Sequence, residues 1–573
     1  MKYIVVSLFV FVNVATKAQQ SRFEKSNGKE TATYFEAIQW YKDLSKISTE
    51  ISIKEMGATD AGYPLHLIMI SADKKFNPDK WHTQKKVVIL VNNGIHPGEP
   101  DGIDASMMLI RDILNKKIKL PANIAIAFIP VYNIGGCLNR NSYTRVNQNG
   151  PAEYGFRGNA QNLDLNRDFT KADTKEAKSF TQIFHYLNPD ILIDNHVSDG
   201  ADYQHTMTLI STQYNKLNPV LGKWLKEDFE PVIYKNMATK GWDLIPYVDF
   251  ETTDFDKGMQ MFYDPPRYSS GYAALFNTLS FMPETHMLKP YKQRVNSTYD
   301  LMVSFIEAAS LKANEIIEHR KVAQANVVAQ QKFPLKWVPE TTLFREIIFK
   351  GYERDSAKSE ATGLQKMFYN HDKPFTKKIK FFDVFNGVDL IEKPVAYIVP
   401  YGWLAVIDLL KLNGVMVSQF KKDTSVTVTA YYIDGYKSLA LAYEKHHKNY
   451  DIQVSVSKKN QRFLKGDFIV YMNQQSNRYI IEMLEPTGND SFFAWNFFDG
   501  ILQQKEGYSD YRWEDIAAGV LKANPALRQK LEEKKLADAK FANNPSAILN
   551  FIYKKSVYSE NAYLKYPVYR IEK

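Results

Sequence analysis

Two residues three apart open the chemistry of this chain. In Asn92-Asn-Gly-Ile-His-Pro-Gly-Glu99 an imidazole and a carboxylate leave one tight turn, directly after the apolar run Val87-Val-Ile-Leu-Val91. A histidine nitrogen and a carboxylate oxygen on a rigid turn make half of a zinc site. The run before them reads as a buried strand, and ligands of open α/β sheets gather at the carboxyl ends of strands. With 11 histidines in the chain, chance alone supplies roughly one His-x-x-Glu, so the rest of a site has to be sought downstream. Pro189-Asp-Ile-Leu-Ile-Asp-Asn-His196 is a second apolar strand that ends on a histidine. Thr278-Leu-Ser-Phe-Met-Pro-Glu284 is a third, ending on a carboxylate. Between them lies Leu163-Asp-Leu-Asn-Arg-Asp-Phe169, a polar turn dense in groups that bind carboxylates.

A hydrolytic zinc centre needs three protein ligands and an open position for water. It lowers the pKa of that water toward neutrality. A neighbouring carboxylate can take the proton and later hand it to the departing amine. A guanidinium in a water-poor cleft can stabilise the negative charge that develops on the attacked carbonyl. Its planar fork also matches a carboxylate with two parallel hydrogen bonds, which a lysine cannot do.

Taken singly, each residue has a plainer reading. Glu284 could be a surface glutamate, Asn166 and Arg167 ordinary turn residues, Arg157 a solvated loop arginine between Gly155 and Gly158, and His196 a histidine bonded to a backbone carbonyl. Those readings give no reason for the whole set to occur in this order. His205 and His286 have no assigned role and are expected to be structural or to support the ligands.

Over roughly residues 35 to 310 the sequence resembles the zinc metallocarboxypeptidases of the carboxypeptidase A type. The resemblance rests on His96-Pro-Gly-Glu99, on Arg157 nine residues before Asn166-Arg167, on His196 in Asp-Asn-His, and on Glu284 in Pro-Glu-Thr-His. It implies one Zn2+ per chain held by His96, Glu99 and His196, with Glu284 as the general base. It also implies that Arg157 polarises the scissile carbonyl and that Asn166 and Arg167 grip the free C-terminal carboxylate of a peptide. Asp164 stands where the family keeps a carboxylate that orients the first histidine. The family's mobile tyrosine matches Tyr268, chosen over Tyr263 and Tyr272 because Ser-Ser-Gly follows it.

The elements that must position these residues alternate. After the strand at 87–91, Gly102 to Leu114 repeats Ile103, Met107, Ile110 and Leu114 at helical spacing. A strand is expected at 123–130, a helix at 171–187, and a long helical stretch from Tyr299 to about Gln331. This predicts an α/β fold with a mixed, mostly parallel central sheet flanked by helices on both faces. Beyond Phe333 the texture changes to alternating β-branched and aromatic runs at 378–383, 425–432 and 451–457. Within that region Trp403 to Leu412 reads as a helix stopped by Asn413-Gly414, and 515–551 as charged helix. The expected organisation is a signal peptide at 1–18, a polar leader at 19–35, a catalytic domain at 36–332 and a β-rich C-terminal domain with terminal helices at 333–573.

Composition narrows the setting. Met1-Lys-Tyr, an apolar run from Ile4 to Val14 and Thr16-Lys-Ala18 form a secretory signal with cleavage after Ala18. No later stretch has the ~18 continuous apolar residues of a membrane span. One cysteine, Cys137, permits no internal disulfide, which in an exported protein suits a bacterial periplasmic or extracellular enzyme. The net charge of +9 is spread along the chain, with no basic run interleaved with stacking aromatics. Nucleic acid is therefore not an expected partner. The expected substrate is a peptide with a free C-terminal carboxylate, drawn from proteins or from cell-wall peptides.

Two other functions fit parts of the pattern. N-acyl amino acid deacylases share a His-x-x-Glu, an Asp-Leu-Asn-Arg turn and a distant histidine, but Asn166 stands 67 positions after Glu99, a long insertion for them. A non-enzymatic surface protein on a decayed peptidase scaffold would have no need for an intact set of ligands and base.

Overall fold

The computed structural model describes residues 20–248 and 255–572. The expected signal peptide lies outside the described residues. Among the described residues, no helix is long and apolar enough to cross a membrane.

Among the described residues, ten strands precede residue 290: β1 (Ile51–Ala58), β2 (Pro64–Ser71), β3 (Val87–Asn92), β4 (Ile124–Ile129), β5 (Ile191–Asp194), β6 (His196–Ser198), β7 (Met207–Ser211), β8 (Ile245–Pro246), β9 (Met259–Gln260) and β10 (Leu279–His286). All but β9 form one mixed sheet, ordered β1-β2-β4-β3-β5-β10-β7-β8, with β6 added beside β10. Its centre, β4-β3-β5-β10, is parallel, and the flanks β1-β2 and β10-β7 are antiparallel. The mixed, mostly parallel sheet expected from the alternation is therefore present. Both faces are covered, as an apolar parallel strand requires. Along β3, Val87, Ile89 and Val91 enter one hydrophobic cluster while Val88 and Leu90 enter another on the opposite face.

The helices follow the expected periodicity with informative differences. Asp101–Leu114 begins one residue early. The helix expected from Lys171 starts at Lys175, because the Thr174 hydroxyl accepts the Ala177 amide and caps it there. Lys171 instead lies buried in ion pairs with Asp168 (2.6 Å) and Asp173 (3.0 Å). The long stretch after Tyr299 is two helices, Tyr291–Leu311 and Ala313–Ala329, separated at Lys312 (φ −104°, ψ 16°). Nothing in the apolar pattern marks that break. The strand to His196 is likewise interrupted at Asn195. Residues 20–33, expected as a leader, fold onto this layer: Phe23 sets its ring edge-on to Tyr291 at 5.6 Å.

Beyond residue 330 the chain is mainly antiparallel. Strands β11 (Lys332–Pro339) and β14 (Phe385–Glu392) form a ribbon, and β12 (Arg345–Lys358) with β13 (Gln365–Phe382) forms a long hairpin that β9 joins. A six-stranded sheet, β16-β19-β15-β20-β17-β18, comprises β15 (Ala396–Val399), β16 (Ser418–Gln419), β17 (Thr424–Ser438), β18 (Asn449–Phe463), β19 (Phe468–Tyr471) and β20 (Lys565–Ile571). The helix expected at 403–412 is present as Leu404–Leu412. The charged segment near the end folds as four helices between Asp510 and Lys554 around Trp513.

One buried cation joins the site-bearing strands to the helical layer. Arg294, fully buried, pairs with Asp101 Oδ2 at 3.0 Å and donates to the carbonyls of Asn149, Gly150, Met287 and Lys289. Removing one partner of a buried pair leaves an uncompensated charge. Arg294→Ala is expected to lower the free energy of urea unfolding by about 3–5 kcal/mol; a loss under about 1 kcal/mol would show that water or relaxation replaces the clamp.

Candidate functional site

The sheet delivers the expected residues to one place. β3 ends at Asn92, and the next seven residues, all buried, form the turn that carries His96 and Glu99. Gly94 sits at φ +65°, a backbone conformation that disfavours any residue with a Cβ. The turn closes on itself with Glu99 N–H donating to His96 O at 2.8 Å. Adjacent strand ends are stapled by side chains: Asn92 Nδ2 donates to Asp194 Oδ1 (3.0 Å) and Asn195 Nδ2 to Asn93 Oδ1 (2.8 Å). Parallel pairing of β6 with β10 then sets Glu284 directly beside His196.

His96 and His196 both turn Nδ1 toward the Glu99 carboxylate, at 3.2 Å and 3.0 Å. The far nitrogens are held by carboxylates, His96 Nε2 by Asp164 Oδ1 (2.9 Å) and His196 Nε2 by Asp194 Oδ2 (3.2 Å). One ligand atom from each of His96, Glu99 and His196 lies within 4.8 Å of the others. His96 Nδ1 is buried with no hydrogen-bond partner. Two imidazole nitrogens and a carboxylate oxygen, fixed from behind by further carboxylates, are a donor set suited to zinc.

The charges around this cluster are strongly perturbed. Burial alone would raise the Glu99 carboxyl, yet Arg145 and His96 hold it well below its usual range. Burial is likewise overcome at Asp164, where His96 and then Arg157 and Arg167 keep the carboxyl low. His196 titrates well above an ordinary imidazole: burial opposes this, and Asp194 and Glu99 outweigh it. At Glu284 burial wins, pushing the carboxyl up to about 8. Opposed shifts among neighbouring groups are characteristic of catalytic sites.

A cavity of about 470 Å³ opens over the cluster. Its lining includes Arg157, Asn166, Arg167, Tyr268 and Glu284, together with His96, Glu99 and His196. Arg157 makes two hydrogen bonds to Asp164 Oδ2, at 2.8 and 3.0 Å. Arg167 lies over the Tyr268 ring at 4.2 Å. Of the three tyrosines weighed, Tyr268 is the one at the cavity. Tyr272 is fully buried and bonded to Asn413, and Tyr263 stacks on Phe385. His205 and His286 have backbone partners: His205 Nε2 accepts Lys350 N–H, and His286 Nε2 accepts Tyr203 N–H.

Three features escaped the sequence. Arg145, in an irregular polar loop, donates to Glu99 Oε1 at 2.9 Å, and no pattern separates it from Arg140, which bonds backbone carbonyls nearby. Asp194 was findable, since residues two apart in an extended segment share a face and it stands two before His196. The apolar side of the cavity, Ile210, Tyr247, Phe262 and Met282, comes from four separate segments.

Residues 37–189 match the family model described as zinc carboxypeptidase. This segment is similar to the zinc carboxypeptidase family. The matched segment holds His96, Glu99, Arg157, Asp164, Asn166 and Arg167, and it ends before His196 and Glu284. The class of enzyme that this match indicates is a metallopeptidase. No curated protein matches the chain by sequence. Similar solved structures include a carboxypeptidase A from Helicoverpa armigera, at 14% identity over 53% of this chain and 82% of that one, with a TM-score of 0.39. A metallo-carboxypeptidase from Pseudomonas aeruginosa, in complex with (2-guanidinoethylmercapto)succinic acid, is 13% identical over 49% and 68%, with a TM-score of 0.36. One from Burkholderia cenocepacia is 14% identical over 47% and 68%, with a TM-score of 0.35.

The turn that carries His96 and Glu99 depends on one close approach. A Cβ on Gly98 would stand 2.4 Å from Arg145 Cδ and 3.1 Å from Gly155 O. Only a bare backbone lets the arginine stem cross there to reach Glu99. Gly98→Ala is expected to cost about 1–3 kcal/mol in urea unfolding of the metal-free protein, the usual penalty for overpacking. A change within about 0.5 kcal/mol would show that Arg145 moves aside freely.

Proposed function

We propose that this protein is a zinc-dependent metallocarboxypeptidase that removes C-terminal residues from peptides. The observation that carries the reading is the convergence of His96 Nδ1, Glu99 and His196 Nδ1 beside Glu284 in one cavity rimmed by arginines. His96, Glu99 and His196 are the residues that would hold the zinc, one ion per chain. Zinc bound there would supply Lewis acidity and bring the pKa of a water molecule toward neutrality.

The chain's own groups account for the rest. Glu284, next to His196 on β10, takes the proton of the attacking water on a carboxylate oxygen and returns it to the departing amine nitrogen. Its raised pKa in the metal-free protein suits a group that must both accept and release a proton, and a divalent cation nearby lowers it again. Asp164 and Asp194 fix the two imidazole rings so that Nδ1 faces inward. Arg157 stabilises charge developing on the scissile carbonyl oxygen. Asn166 and Arg167 bind the free terminal carboxylate, and Tyr268, already against the Arg167 guanidinium, covers it. Arg145 offsets the negative charge of Glu99 by pairing with the oxygen that also faces His96.

The cavity also supports a substrate preference. Ile210, Tyr247, Phe262 and Met282 give it an apolar wall suited to a large aliphatic or aromatic terminal side chain. The signal-like start of the sequence supports action outside the cytoplasm, on peptides of protein or cell-wall origin.

Glu284→Gln keeps the shape and removes proton acceptance, so kcat should fall at least ~100-fold with zinc content unchanged. Near-normal turnover in this variant would place the base elsewhere. Peptides ending in Phe or Leu should be cleaved with kcat/KM at least ~10-fold above those ending in Lys or Glu. Their C-terminally amidated forms should be resistant. Equal hydrolysis of free and amidated peptides would contradict terminal recognition by Arg167 and favour an endopeptidase or a deacylase.

A further inference from the structure

The tip of the β17–β18 hairpin reaches the candidate active site from far along the chain. At Ser438 and Asn449 the two strands are still paired, and the loop between them ends in the two-residue turn Tyr443-Glu444-Lys445-His446. Tyr443 and His446 exchange both backbone hydrogen bonds, at 2.8 and 3.1 Å. Glu444 (φ 49°) and Lys445 (φ 75°) both occupy the left-handed region. Such turns favour Asn-Gly, because a Cβ is strained at these angles. A Glu-Lys pair here is therefore a poor local choice, and strain of this kind gathers at functional positions.

The Glu444 side chain supplies a reason for the choice. Its Oε2 accepts the backbone N–H of Asp164 at 2.8 Å. Asp164 is the residue whose two carboxylate oxygens hold His96 Nε2 and Arg157. The tip has anchors of its own besides this bond. His446 Nε2 pairs with Asp173 Oδ2 at 2.7 Å, and Tyr443 stacks on the buried Trp495 at 6.1 Å. Lys171 and Arg267, both from the site-bearing part of the chain, also lie over the Trp495 ring. The hairpin tip is thus held in place independently of Glu444, and the carboxylate has one backbone donor to satisfy.

We propose that Glu444 is a positioning residue of the candidate active site, fixing the Asp164 backbone and through it the orientation of His96 and Arg157. The proposal rests on the metallocarboxypeptidase reading for its zinc site as well as for its activity arm. Its test uses the full chain with Glu444→Gln, Glu444→Ala and Glu444→Gly, measuring zinc dissociation constant, kcat, KM and thermal midpoint.

In Glu444→Gly the strained φ is relieved, so the midpoint should hold or rise while zinc binding weakens ~10-fold, the low end for losing a support behind a ligand. Glu444→Ala should weaken zinc binding to the same degree. In both variants kcat should fall more than KM rises. The amide oxygen of Glu444→Gln can accept the same N–H, and this variant should keep zinc affinity and kcat within about threefold of wild type. A residue that merely stabilises the tip would lower the midpoint and leave zinc affinity unchanged. Wild-type zinc affinity in both the Ala and Gly variants would overturn the proposal. So would a Gln variant as impaired as Gly, because the negative charge rather than the hydrogen bond would then matter. If the wild type binds zinc but cleaves no C-terminal substrate, the functional reading fails while the zinc series still decides the role of Glu444.

Discussion

A carboxylate buried to 3% exposure, as Glu99 is, keeps its charge only if the protein surrounds it with compensation. Every contact around it serves that end. His96 and His196 present nitrogens to it, Arg145 pairs with one oxygen, Arg157 lies 3.7 Å from the same oxygen, and Val197 N–H donates to the other. Satisfying this one group draws together the turn after β3, the strand β6 and the loop that carries Arg145 and Arg157. It also explains why Gly98 has no side chain, since the Arg145 stem must cross that backbone. The same convergence leaves His96 Nδ1 buried, facing Glu99 at 3.2 Å without a well-formed hydrogen bond, a state that a metal would relieve.

Compensation spreads outward in layers. Asp164 and Asp194 carry negative charge behind the two imidazoles, and Asp164 is itself held low by Arg157 and Arg167 after His96. The outermost support comes from the antiparallel part of the chain, through Glu444 to the Asp164 backbone and through Trp495 to Lys171 and Arg267. The two textures visible in the sequence thus meet at the candidate site. This gives the β-rich region a place in positioning the site without assigning it a ligand of its own.

Legibility in the sequence followed the physics of each contact. His96, Glu99, His196 and Glu284 could be found because metal and acid-base chemistry admits few residue types and because strand ends are marked by apolar runs. Asp164, Asn166 and Arg167 came with a compact turn. Arg145 was hidden, since a long side chain reaching from an irregular loop leaves no spacing to read. Glu444 was hidden more deeply: 280 residues separate it from Asp164, and its partner is a backbone amide, which any residue but proline would supply. In the fold, the alternation of strand and helix gave the sheet, whereas the break at Lys312 and the interruption at Asn195 arise from tertiary packing that apolar periodicity does not record. The long antiparallel strands are legible only in fragments, because β13 is exposed along most of its length and β12 alternates in burial only over its first half.

The central claim, that burying Glu99 between two inward-facing imidazoles builds a metal centre, is tested most directly by anomalous scattering at the zinc edge. Crystals of the purified protein would be used, with elemental analysis of the same material. The account expects one zinc per chain, about 2.0–2.2 Å from His96 Nδ1, a Glu99 carboxylate oxygen and His196 Nδ1. A protein that takes up no zinc would contradict it. So would zinc lodged elsewhere, for instance where Asp202 meets His286 and His371, with the Glu99 cluster left as a set of ion pairs.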